Sequence, residues 1–288
     1  MIVDAIRAEG FRLSKSRTTW FWSVFFAPIL SLIFGIIGVV FLKANEAQIA
    51  AQTDLPPEVI AMMASTPINL ATELVAAAGK LDSILLLPFV LIGAATLYAA
   101  DYRWETWRLI SARNSRTNLL LGKLAIAALL TLIAVFVMLL SGVAETFIRA
   151  ATFERPLTFN VTGEAIGGFF ALGGLSFLRV MQFTMLALLT AVVTRSLLAA
   201  LFVPLVVAVA QFFSPQLFLT MGMQPDAWLP VLANPSGAIE ALKAIASGAG
   251  STLPEGLALK AWLSMALWTL LPIAGALFWF KRQDLSKE

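Results

Sequence analysis

The sequence predicts an all-α integral membrane protein with six transmembrane helices, an N-terminal amphipathic helix lying in the interface, and both termini cytoplasmic. Three observations predict it. Of 288 residues, 59% are hydrophobic and 13% charged, and the mean hydropathy of +0.87 lies outside the range of a soluble globular domain. Six apolar runs long enough to cross a bilayer punctuate the chain. If these runs cross alternately, 13 of the 20 Lys and Arg residues fall on the side of the termini and 11 of the 17 acids on the other side. Basic short loops mark the cytoplasmic face.

Each element follows in order. Residues 1–19 read as a short helix with Val3, Ile6, Gly10 and Leu13 along one face and Arg7, Arg12 and Lys15 elsewhere. Basic residues beside an apolar stripe suit a helix in the cytoplasmic headgroup layer. The apolar run that follows is too long for a cleavable signal peptide, so it is expected to be an uncleaved anchor. That first span is 20–42, with Trp20 and Trp22 as interfacial aromatics. An external segment, 43–82, holds Pro56-Pro57 and two helix-like pieces, near Glu58–Ala64 and Leu70–Lys80.

Span two is 83–100, loop 101–118 returns the chain to span three at 119–143, and Gly-rich residues 163–175 read as a partial helix preceding span four at 174–193. Thr194-Arg195-Ser196 makes a tight turn into span five, 196–214. The external segment 215–260 is punctuated by prolines, and Asn234-Pro235-Ser236 reads as a helix start with Ala238, Ile239, Leu242 and Ile245 behind it. Span six, 261–280, ends at Lys281-Arg282. The halves do not repeat one another, which argues against an inverted-repeat transporter.

The composition also excludes chemistry. Without cysteine there is no disulfide framework, thiolate metal site or thiol nucleophile, and without histidine the commonest general base and metal ligand is missing. No metal, cofactor or catalytic residue is assigned to this chain. The net charge of +3 does not indicate nucleic acid, because the basic residues cluster beside the spans.

Loop 101–118 concentrates the positive charge: Arg103, Arg108, Arg113 and Arg116, followed by Lys123, against Asp101 and Glu105. Asp101 to Ser111 is long enough for three helical turns, with Trp104, Trp107 and Ile110 at i, i+3, i+6 on one face. The pattern Asp101, Glu105-Thr106, Arg108, Ser111-Ala112, Ser115-Arg116 and Gly122-Lys123 resembles the first cytoplasmic loop of ABC-2 type transporter permeases. Glu105 stands where a Gly is usual, and Arg113-Asn114 replaces a common Pro-Val.

The resemblance covers the whole chain and implies the membrane subunit of an ATP-driven exporter in a bacterial cytoplasmic membrane. It implies that the loop is a coupling helix, with Asp101, Trp104, Glu105, Thr106, Trp107, Arg108, Ser115 and Arg116 as the ATPase-coupling residues. The implied partners are two ABC ATPase subunits that bind ATP and Mg, a second permease copy or a related permease, and membrane lipid. The motor must be another polypeptide, since the chain lacks G-x-x-x-x-G-K-[ST]. The largely apolar spans favour an amphipathic or lipid-like cargo. An alternative within the same resemblance is a complex that uses ATP to remodel or load another membrane or external protein.

Two further residues are candidates for a substrate path, Arg179 and Glu145. Arg179 is the one ionisable residue within a span, and two readings stay open: it pairs with Glu145 or Glu164 along a path, or it snorkels to the outer headgroups. Gln211, Thr184 and Thr190 read as helix–helix polar contacts.

Overall fold

The computed structural model describes residues 1–46, 48, 65–104, 106–248, 250 and 253–284, and leaves the side chains of Arg108 and Leu109 aside. The expected helix near Glu58–Ala64 and the site residue Glu105 lie outside the described residues.

The chain is all-α apart from one two-residue parallel pairing. In order it forms α1 (Ile2–Lys15), α2 (Arg17–Ala44, with a π turn at Phe21–Phe25), β1 (Ile68–Asn69), α3 (Leu70–Ala78), α4 (Leu87–Arg103), α5 (Trp107–Ser111) and α6 (Arg116–Thr152). Then come β2 (Leu157–Thr158), α7 (Gly163–Thr194), α8 (Leu197–Thr220), α9 (Trp228–Ala233), α10 (Pro235–Ala246) and α11 (Leu257–Arg282). Five of these, α2, α6, α7, α8 and α11, are long and apolar enough to cross a membrane.

Capping residues set the starts of the long helices. The Ser115, Thr162 and Ser196 hydroxyls accept hydrogen bonds from the backbone N–H groups of Asn118, Ala165 and Ala199. Arg195 adopts φ 56°, which stops α7 at the expected tight turn. Several helices outrun the apolar runs that announce them. The helix α6 continues to Thr152 and α7 begins at Gly163, so the Gly-rich 163–175 stretch is the first part of one continuous helix. The helix α8 runs through Pro215 to Thr220. Proline removes one donor to the carbonyl four residues back, and the Ser214 hydroxyl donates to that Gln211 carbonyl instead (3.0 Å).

The core lies around α4 and α7. Seventeen-residue α4 is packed against the π turn of α2, α6, α7 and α8, and buries Val90, Leu91, Ala94, Ala95 and Tyr98. A helix apolar on every side needs neighbours on every side. By contrast α2, α8 and α11 expose apolar faces at Phe34, Ile37, Phe202, Val206, Leu270 and Leu271. Faces of that extent mark a surface covered by lipid or another chain.

The first and last described helices are both tied to the Asn114–Arg116 segment at one end of the bundle. Asn114 Nδ2 donates to the Met1 carbonyl (2.7 Å), and Arg116 donates to the carbonyls of Phe280 (2.9 Å), Lys281 (3.1 Å) and Gln283 (2.6 Å). Gln283 Nε2 donates in turn to the Val192 carbonyl (3.0 Å). At the other end, β1 pairs with β2, and Arg155 donates to the Thr66 carbonyl.

The helix α1 packs along α6 by a face turned slightly from the expected one, with Leu13 buried and Ile6 and Gly10 partly buried as expected. Ala5, Glu9 and Leu13 are buried, whereas Val3 is 52% exposed. The face turns because an acid, Glu9, is drawn inward by Lys123. Gly122 permits the approach: a Cβ there would sit 2.9 Å from Ala5 Cβ and 3.2 Å from the Ala5 carbonyl carbon. Gly122→Leu is therefore expected to lever α1 off α6, costing about 1–3 kcal/mol as an overpacked contact does. Limited proteolysis should then cut near Lys15 at a rate at which the parent protein stays whole; equal protection of both would refute the packing role.

Candidate functional site

The expected single helix from Asp101 to Ser111 is two pieces. The helix α4 carries Asp101 and ends at Arg103, and α5 begins at Trp107. That break rotates the tryptophans apart: Trp104 is 68% exposed and Trp107 fully buried. They do not share a face, so the expectation of two aromatic anchors side by side is corrected. The break follows from Asp101, whose carboxylate accepts from the Thr106 hydroxyl and whose carbonyl accepts from the Thr106 N–H (3.0 Å), folding the chain back on itself.

Asp101 is the centre of a buried charge cluster. Its Oδ2 lies 2.6 Å from Lys123 Nζ, and its Oδ1 lies 2.8 Å from Arg12 Nη1. Glu9 Oε1 completes the set, 3.0 Å from Lys123 Nζ and 3.3 Å from Arg12 Nη1. Lys123 Nζ also donates to the Leu97 carbonyl (2.8 Å). Two cations and two carboxylates close the set neutrally, as buried charges must. The cluster joins three elements: α1 through Glu9 and Arg12, α4 through Asp101, and α6 through Lys123.

Trp107 caps this cluster. Lys123 Nζ sits 5.3 Å from its ring centroid, and the indole packs on Tyr102 (5.4 Å) and Phe280 (4.6 Å). Tyr102 reaches α11 as well, its hydroxyl donating to Gln283 Oε1 (3.0 Å).

Of the expected coupling residues, most therefore work inward. Asp101, Thr106 and Trp107 build the loop's own core, Arg116 holds the end of α11, and Ser115 caps α6 while remaining exposed. The backbone of Arg108 belongs to α5. Facing out are Arg103, Trp104 and Arg113, with the Arg103 guanidinium 5.3 Å from the Trp104 ring centroid. Sequence reasoning missed this cluster: it set Arg12 off the apolar face of α1 and did not single out Glu9. The signal was an acid at the i+4 position from Ala5 on the packed face.

The candidate path residues sit apart from the loop and from each other. Arg179 is 5% exposed within α7 and does not snorkel. Its guanidinium donates to Gln182 Oε1 (3.0 Å), to Gln211 Oε1 of α8 and to Ser236 Oγ of α10, and it lies 4.4 Å from the Phe183 ring centroid. The expected pairing with Glu145 or Glu164 does not occur. Glu164 is in the first turn of α7, about 22 Å away at the helical rise. Glu145 belongs to α6, where its carboxyl lies over Gly35 of α2, so close that a Cβ at Gly35 would sit 2.6 Å from it. Gln211 makes the helix–helix polar contact expected of it, and its partner is the buried arginine.

Compared with known proteins, the chain matches no family model, no curated protein and no solved structure.

Proposed function

We propose that this chain is the membrane subunit of an ABC-2 type ATP-driven exporter, moving an amphipathic or lipid-like substrate outward with the help of separate ATPase subunits. In this reading the chain crosses a bacterial cytoplasmic membrane six times. The sixth crossing is α4, whose 17 residues span about 25 Å at the helical rise, at the short end for a transmembrane helix. The end of the bundle that gathers Arg7, Arg12, Arg103, Arg113, Arg195 and Arg282 faces the cytoplasm, and α1 lies in the inner headgroup layer. Two copies, or this chain and a related permease, pair in the membrane, and two ATPases that bind ATP and Mg dock beneath.

One observation carries this reading. The loop between α4 and α6 is locked to α1, α6 and α11 by Asp101, Trp107 and Arg116, while Arg103, Trp104 and Arg113 face away from the bundle. A lever needs both properties: a face to be pushed and a rigid tie to the spans it moves. An aromatic flanked by arginines suits an apolar notch with an acidic rim.

Affinity purification in mild detergent, followed by mass spectrometry, tests it. A stoichiometric P-loop ATPase is expected with the parent protein and is expected to be lost, about tenfold or more, from Trp104→Ala, since aromatic anchors of that kind dominate interfaces. An ATPase retained equally by Trp104→Ala would remove the docking face. If no ATPase co-purifies from native membranes, the exporter reading fails.

A further inference from the structure

Between α4, α7, α8 and α10 lies a cavity of about 620 Å³ that neither the loop nor the charge cluster uses. Its volume falls in the range of roughly 300–1,000 Å³ typical of small-molecule sites. Arg179, Gln211 and Ser236 form one stretch of its polar wall and the Asp82–Lys243 pair another, with Phe183, Leu87 and Ile239 on its apolar wall. Although Asp82 and Glu240 line the same cavity, Arg179 makes no direct ion pair among the described residues. Its three hydrogen-bond acceptors, Gln182, Gln211 and Ser236, are all neutral, and among the described residues no carboxylate lies within ion-pair distance of it. Asp82, on the same cavity, is paired with Lys243, whose Nζ lies 2.7 and 2.8 Å from its two oxygens.

A second observation is independent of that charge. Gln211 is 4% exposed, and its Nε2 has no partner. Of the two atoms of the Gln211 amide only the oxygen can accept from a guanidinium, so Oε1 is fixed toward Arg179 and the amide N–H groups are left over. A buried donor without an acceptor costs about 1–3 kcal/mol, and a buried cation without an anion costs more. Cation and donor stand side by side on the wall of one cavity, so a single anionic group satisfies both.

The rim identifies what carries that group. On one side the cavity is bordered by Ile84 and Phe212, 69% and 70% exposed on the apolar surface of the bundle. On another it is bordered by Lys80 and Glu240, both exposed and charged. A site with one lip in hydrocarbon and one in water, and a cation between them, fits a molecule with the same division. We infer that this cavity is a binding site for an anionic amphiphile, whose carboxylate or phosphate is held by Arg179 and Gln211 Nε2 and whose tail leaves past Ile84 and Phe212. The inference does not depend on the exporter reading, because binding requires no ATPase.

Gln211→Glu tests it. The substitution is isosteric, and it supplies Arg179 with a carboxylate from within the protein while deleting the orphan donor. The folded protein is expected to become more resistant to thermal unfolding, while oleate binding, followed by native mass spectrometry from an uncharged detergent, weakens by at least about tenfold, the loss expected when a charged contact is removed. A purely structural arginine predicts the first change without the second. In the parent protein oleate is expected to bind at least tenfold tighter than oleyl alcohol. Equal binding of the two, undiminished oleate binding by Gln211→Glu, or inorganic phosphate competing as well as oleate would each overturn the assignment, the last in favour of a soluble anion.

Discussion

Replacing Lys123 with methionine is expected to cost about 3–5 kcal/mol of unfolding free energy, the penalty for stripping one partner from a buried ion pair. Methionine keeps the length and apolar stem of the side chain, so the loss reports the ammonium. Without it, Glu9 and Asp101 face each other with only Arg12 between them. Arg12, whose side chain is 43% exposed, is the more weakly held of the two cations. The Leu97 carbonyl also loses its donor. Unfolding in mixed micelles measures the cost. The double variant Lys123→Met with Asp101→Leu then isolates the pairing, because it restores one cation to one anion, Arg12 to Glu9. It is expected to be less destabilised than the sum of the single variants by about 0.5–3 kcal/mol, the range for residues in direct contact. Additivity of the two would show that Lys123 and Asp101 do not act as a pair.

That cluster shows where a sequence is legible and where it is not. The membrane class, the helical content and the long apolar helices follow from hydropathy, which is a property of each segment by itself. The turn at Thr194-Arg195-Ser196 and the start of α10 at Asn234 follow from local capping chemistry. Helix ends between the long apolar runs do not, because the many glycines of Gly163–Gly174 announce only a partial helix. Their helix is stabilised by α3 and α10 packed against it. The loop motif was visible as charges in a row, yet the direction each residue faces depends on contacts up to 181 positions apart, such as Tyr102 with Gln283. The break at Trp104 could not be read from the i, i+3 spacing of two tryptophans. It depends on Asp101 turning to Thr106, which is possible only because Lys123 and Arg12 hold that carboxylate in place. Likewise Arg179 stood out in the sequence, but Gln211 and Ser236, the residues that make it a site, are 32 and 57 positions away and individually unremarkable.

Trp107→Ala is expected to be the most damaging single change in the loop, at about 3–5 kcal/mol, as for other buried aromatics cut back to alanine. The indole is completely enclosed and bridges Tyr102 of α4, Lys123 of α6 and Phe280 of α11, so its removal opens a void where three helices converge. Trp107→Phe separates volume from polarity. The indole N–H has no hydrogen-bond partner among the described residues, so phenylalanine forfeits no hydrogen bond and is expected to recover most of the loss. The flat aromatic surface on which Tyr102, Lys123 and Phe280 all pack is kept. Trp104→Ala provides the contrast: at 68% exposure it is expected to change stability by no more than about 0.5 kcal/mol. Under the exporter reading the two alanine variants both release the ATPase, but for different reasons, one by dissolving the lever and the other by blunting its face. Unfolding free energies in mixed micelles tell them apart: a loss of stability confined to Trp107→Ala is the expected pattern, and equal stability of the two would mean that Trp107 is not the keystone of the loop that its burial makes it.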